Sequence, residues 1–115
     1  MASTDGRSVR SWGMECRNNT SLSRFEALED GQVVGWLDFE AGPGVLTMTH
    51  TIVPSEHGGR GIGKVLVEYA VGYAADNGWS VVPECAFVRA YLAKNPPLQT
   101  LVPESRRQEF FPADA

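Results

Sequence analysis

The chain has 115 residues, a length that suits one compact domain able to bury enough apolar surface to fold without staples. Hydrophobic residues make up 43% and charged residues 21%, an ordinary globular balance. A net charge of -4 argues against a nucleic-acid or anionic-membrane surface, either of which needs clustered Lys and Arg. Two cysteines, Cys16 and Cys85, are too few and too far apart for a disulfide framework or a zinc site. Met1 to Arg10 is polar and lacks an apolar h-region, and no stretch has the apolar length that spans a bilayer. A reducing compartment, most simply the cytoplasm, is therefore expected.

Residues 1–17 are rich in Ser, Gly and charge and read as a flexible lead-in to a domain running from 18 to 102. From Ser23 the pattern changes. Arg24 to Glu29 alternates, Asp30-Gly31 supplies a turn, and Gln32 to Phe39 follows as the partner strand of a hairpin. Gly42-Pro43-Gly44 makes the next turn. Val45 to Val53 then alternates, with Leu46, Met48, His50 and Ile52 on one face and Thr47, Thr49 and Thr51 on the other. Pro54 ends that strand.

After the segment Ser55 to Lys64 a helical period begins. Ile62, Val65, Leu66, Tyr69, Ala70 and Tyr73 form one apolar stripe, widened by Val67, Val71 and Ala74, and Asn77-Gly78 is a C-terminal stop. Trp79 to Val82 is a short strand before Pro83. Ala86 to Lys94 reads as a second helix with Phe87–Tyr91 and Val88–Leu92 as apolar pairs, ended by Asn95-Pro96-Pro97. Residues 103–115 form a polar tail. The order is α+β (mixed α/β), a mostly antiparallel sheet whose last strand arrives through a helical crossover and so lies parallel to its neighbour.

Four of the six residues from Gly58 to Gly63 are glycine, between a strand and a helix. Glycine permits positive φ and close approach of a ligand to backbone N–H groups. A helix N-terminus adds unpaired donors and the positive end of the macrodipole, so a diphosphate is the natural occupant. The dinucleotide fingerprint fails for want of a glycine at Leu66. The nucleotide P-loop pattern runs from Gly58 to Lys64 but ends on Val65, which cannot ligate Mg²⁺. A plain tight turn into a helix is the bland alternative.

Gly61-Ile62-Gly63, after a strand ending Val53-Pro54 and before a long apolar helix, resembles the acyl-CoA pyrophosphate loop of the GNAT acetyltransferase superfamily, written (Gln/Arg)-x-x-Gly-x-(Gly/Ala). The spacing of Ser23-Arg24-Phe25-Glu26, Leu46-Thr47-Met48-Thr49-His50-Thr51, Gly59-Arg60-Gly61-Ile62-Gly63, Val82-Pro83-Glu84-Cys85 and Phe87-Val88-Arg89-Ala90-Tyr91-Leu92 is similar to that of the minimal, very short GNAT-like N-acetyltransferases. The likeness covers about Asn18 to Val102. It implies a minimal GNAT fold that binds acetyl-CoA, with no metal, and moves the acetyl group to an amine: a protein lysine, a polyamine or a small amine. A domain that holds CoA without turnover is the alternative.

The same likeness implies a cofactor site at Val53, Gly58, Gly59, Arg60, Gly61, Ile62, Gly63, Lys64 and Asn95. One position departs from the superfamily motif. Gly58 stands where Arg or Gln usually opens it, which leaves Arg60 as the nearby source of charge. Asn95 has a second reading as a helix cap. His50 is the candidate general base, against the reading of a buried histidine satisfied by a neighbour. Cys85 is a candidate acyl acceptor activated by His50, against simple packing, with direct attack by the amine favoured. Tyr91 is the candidate acid for the departing thiolate, and its ring packs with Phe87. The resemblance also implies an open acceptor site, since the chain lacks the N-terminal helices that build an acceptor pocket in larger GNAT proteins.

Overall fold

The structure, a computed structural model, describes residues 9–11 and 14–112. Among them, β1 (Val9–Ser11), β2 (Met14–Asn19), β3 (Arg24–Glu29), β4 (Gln32–Gly42), β5 (Val45–Ile52) and β6 (Ser80–Pro83) form one sheet in chain order. Helix α1 (Ile62–Asp76) connects β5 to β6, and α2 (Ala86–Ala93) and α3 (Glu104–Phe110) follow. All pairings are antiparallel except β5 with β6, which is parallel, as a helical crossover requires. Among the described residues no helix is long and apolar enough to cross a membrane.

The turns obey their local chemistry. Asp30 and Gly31 both have positive φ, 51° and 79°, the conformation that a two-residue hairpin turn of matching twist demands. One face of the sheet packs against α1. The Phe25 ring meets those of Tyr69 and Tyr73 at centroid distances of 5.6 and 5.2 Å. Gly35 lets α1 come close: a Cβ there would lie 2.8 Å from Ile62 Cγ2. The stripe Ile62, Val65, Leu66 and Ala70 is buried as expected, together with Val67, Val71 and Ala74.

Two sequence expectations are corrected. Part of the supposed flexible lead-in is strand: β1 and β2 extend the sheet, and Met14 and Cys16 are buried in its core. The strand is hard to see in the sequence because its inward positions alternate Met14, Cys16 and Asn18, only weakly apolar. Asn18 points inward to donate an amide N–H to the Tyr73 hydroxyl at 3.1 Å. The supposed polar tail carries α3, with Phe110 and Phe111 packed against the core. Residues 1–8, 12–13 and 113–115 of those two segments lie outside the described residues.

The face away from α1 is polar. Register aligns Arg17, Glu26, Trp36 and Ile52 in one cross-strand row and Asn19, Arg24, Asp38 and His50 in the next. Glu26 is the anchor, only 1% exposed. Arg17 Nε donates to Oε1 at 2.9 Å, while Arg24 Nε and Asn19 Nδ2 donate to Oε2 at 2.8 and 3.0 Å. The Arg24 guanidinium lies 4.6 Å over the Trp36 ring.

Burial pushes the Glu26 carboxyl up, but hydrogen bonds from Arg24, Asn19 and Arg17 outweigh it and hold the group below the usual glutamate value. A depressed folded pKa stabilises the fold above the unfolded value of about 4.3 and loses that contribution as pH falls through the folded value. Urea midpoints measured from pH 7 to pH 3 should therefore drop more steeply for the native chain than for Glu26→Gln. The variant should start about 1–3 kcal/mol less stable, because a buried neutral amide cannot accept from both guanidinium groups and the Asn19 amide as the carboxylate does.

Candidate active site

The chain leaves β5, passes Val53 and Pro54, and makes a short 3₁₀ turn at Ser55–His57 before the glycine loop. Gly59 and Gly61 have φ of 78° and 77°, and a Cβ on either would meet nothing within 4 Å. Their role is conformational, and the space beside them is open. Gly61 is the N-cap of α1 and supplies no side-chain cap, nor does the first turn contain an acidic residue. The first-turn N–H groups thus lack an intrahelical acceptor and a side-chain cap, at the positive end of a 15-residue helix. That donor set and the open loop fit a diphosphate. Ile62 is buried, so it offers a ligand only its backbone.

The other glycines differ. Gly58 has an ordinary φ of -69° and closes the 3₁₀ turn by donating its N–H to Ser55 O at 3.1 Å. Gly63 is a packing glycine, since a Cβ would sit 3.0 Å from the Phe87 ring. Arg60, expected to face the phosphates, instead forms an ion pair with Glu29 at the end of β3.

Between α1 and α2 lies a cavity of about 420 Å³ lined by Lys64, Glu68, Phe87, Tyr91, Lys94 and Asn95, with Ala90 at its wall. It brings together three of the residues singled out in the sequence. Burial, then the Glu68 carboxylate, raises the Tyr91 phenol above its ordinary value, so the group stays protonated through the neutral range. Asn95 Nδ2 donates to Tyr91 O at 2.7 Å, capping α2 while lining the cavity. Phe87 is not the core residue its spacing with Tyr91 suggests: it is 47% exposed and covers Gly63, while Val88 and Leu92 fill the core.

Beyond Met48 the sheet opens. Parallel pairing of β5 with β6 ends at Met48–Pro83, and Cys85 N–H closes the corner by donating to Met48 O at 2.9 Å. His50, Thr51 and Ile52 of β5 continue to pair with β4 on one edge only. An extended ligand arm could take the other edge, as an added strand does.

A β-bulge at this point reverses the expected facing of β5. Asp38 pairs with His50 and Phe39 with Met48, so Thr49 is the extra residue. Met48 and Leu46 face the core as expected. Past the bulge Thr51 takes over the core side beside Leu37, and His50 and Ile52 turn to the polar face. Both are exposed. His50 is thus neither a buried histidine nor on the face of Leu46 and Met48.

Cys85 is buried, and its Sγ lies 3.2 Å from Thr51 Oγ1. Thr51 and His50 are on opposite faces of β5, so the hydroxyl neighbour of the sulfur is Thr51 and the expected His50–Cys85 pair does not form. Thr51, Glu68, Lys94 and Glu29 were invisible as site residues in the sequence. Their places follow from the bulge, the helix pairing and a contact across 31 positions of chain. Cys16, the second thiol, sits in the core with its pKa pushed up to about 11 by burial and by Glu15, which keeps it a protonated thiol at neutral pH.

Among solved structures the chain is similar to a ribosomal-protein-alanine N-acetyltransferase from Brucella melitensis biovar Abortus 2308, at 24% identity and a TM-score of 0.48, over 65% of this chain and 52% of that one. The chain therefore spans about half the length of that structure. No curated protein matches it. Residues 24–101 match the GCN5-related N-acetyl-transferase family, a stretch that contains the glycine loop, the opened sheet and the cavity between the helices. The chain belongs to that family.

Proposed function

We propose that the protein is an acetyl-CoA-dependent N-acetyltransferase that acts on an amine by direct transfer. The observation that carries this reading is spatial. The uncapped N-terminus of α1 and the cavity holding Tyr91 meet at Lys64, which is in the first turn of α1 and lines that cavity, and the edge of β5 past Met48 is left unpaired by β6. A thioester with a diphosphate at one end and an acetyl group at the other has that set of needs. When bound, acetyl-CoA supplies an activated acetyl group.

The chain's own residues supply the rest. The loop Gly59–Gly61 and the backbone of Ile62, Gly63 and Lys64 hold the diphosphate, with Lys64 charge at the same end. Val53 and the β5 edge align the arm. Asn95 fixes the end of α2 and so the wall of the cavity. Tyr91, protonated at neutral pH, donates a proton to the thiolate sulfur as the C–S bond breaks. On the exposed face His50, cross-strand from Asp38, accepts the proton lost by the attacking amine. The amine approaches over a face exposed at His50 and Ile52, which suits a lysine on a protein, a polyamine or a small amine in a reducing compartment. Separation of His50 from Cys85 supports direct attack over an acyl-cysteine relay.

A thermal-shift titration with CoA and acetyl-CoA tests the reading, with ATP-Mg²⁺ as control. At a hundred times its Kd a ligand stabilises the native state by about 2.7 kcal/mol, about 10 °C or more of Tm for a domain of this size. A shift with CoA alone, followed by amine-dependent release of free CoA from acetyl-CoA, is the expected result. Absence of the shift sinks the cofactor assignment. Binding without transfer to any amine would leave a CoA-binding module.

A further inference from the structure

We infer that Glu29 is a built-in competitor for the cofactor, holding Arg60 until a diphosphate displaces it. This rests on the proposed cofactor reading and goes beyond it. Between Pro54 and Glu68 the basic side chains are His57, Arg60 and Lys64. Arg60 is the one placed between the two left-handed glycines, on the stretch of backbone that wraps a bound anion. Its guanidinium is nonetheless spent on Glu29, which arrives from the far end of β3, immediately before the Asp30-Gly31 turn. Neither side chain is buried.

Two physical facts set the direction of the effect. A carboxylate and a phosphate oxygen compete for the same planar donor, and the diphosphate brings more negative charge. The pair is solvent-accessible, so Glu29 is readily displaced, and its cost to binding is that of an exposed ion pair. Backbone donors at α1 tip the exchange towards a diphosphate, whereas an anion that engages Arg60 alone gains little over Glu29. Glu29 thereby sets both the affinity for the cofactor and the selectivity of the loop against small anions.

Calorimetric titration of CoA into the native chain, Glu29→Gln, Arg60→Gln and the double variant, at one ionic strength, decides the matter. Glu29→Gln is expected to bind about two- to fivefold tighter, the scale of an exposed ion pair. Arg60→Gln should bind more weakly, and the double variant should match Arg60→Gln, since Glu29 acts through Arg60. Unchanged or weaker binding by Glu29→Gln overturns the inference. So does an equal gain in the Arg60→Gln background, which would make Glu29 a general repulsive charge. If the native chain binds no CoA, the cofactor reading itself fails. If the native chain binds and Glu29→Gln does not respond, only the competition fails.

Discussion

Gly61→Val is expected to abolish the CoA-induced thermal shift while leaving the chain folded. Gly61 sits at φ 77°, where a β-branched residue is strained by about 1–3 kcal/mol. The side chain would also project into space that is open and that the diphosphate needs. Each charge-assisted hydrogen bond lost at the helix terminus is worth about 1.5–3 kcal/mol, so two of them lower affinity by about a hundredfold or more. Gly72→Ala is the control. It lies within α1 with nothing within 4 Å of its missing Cβ, so alanine should stabilise the helix by about 0.5–1 kcal/mol and leave CoA binding alone. A folded Gly61→Val that still binds CoA normally would show that the phosphates are not on this loop.

Tyr91→Phe should lower kcat by about 10²- to 10⁴-fold with little change in the KM for acetyl-CoA, the loss expected when a positioned general acid is removed. The phenol is held above its ordinary value by burial and by Glu68, so deprotonation does not limit the native enzyme anywhere below the usual phenol range. The alkaline limb of its rate profile should accordingly begin above about pH 10 as far as Tyr91 is concerned. Replacing CoA by a thioester with a far more acidic leaving thiol should restore much of the variant's rate, because that thiolate departs unprotonated. A merely structural tyrosine would show no such rescue. Thermal denaturation should separate the two further, since the variant keeps the ring with which Tyr91 packs against the core.

Much of the sheet and of the first helix was legible because local rules govern them. Asp30-Gly31 can take two positive φ values, and the apolar period from Ile62 to Tyr73 has one helical solution. The glycine loop was legible for the same reason. Its composition makes sense only where backbone conformation and access outweigh side-chain packing, and Gly59 and Gly61 are used in that way. At Gly63 the reason for glycine is different. Its requirement comes from the Phe87 ring, 24 residues away, and no local pattern carries that information.

β2 and the polar face were missed for a related reason. A strand with Cys16 and Asn18 as inward residues lacks an apolar signature, and its place is settled by pairing with β3. Likewise Glu26 reads as one more charged residue until Arg17, Asn19 and Arg24 close around it.

By itself the sequence determined the order of elements from β3 to α2, the Asp30-Gly31 turn, the apolar face of α1 and the conformational freedom of the glycine loop before it. Each depends on torsional preference or periodicity within a few residues. Only the tertiary structure decided that one extra residue at Thr49 turns His50 away from Cys85. It also decided that Thr51 meets the sulfur, that Glu29 occupies Arg60, and that Tyr91 shares a cavity with Lys64 and Glu68. A bulge reverses every side chain beyond it, and a contact between distant strands and helices is a property of register and packing, which no short window of sequence encodes.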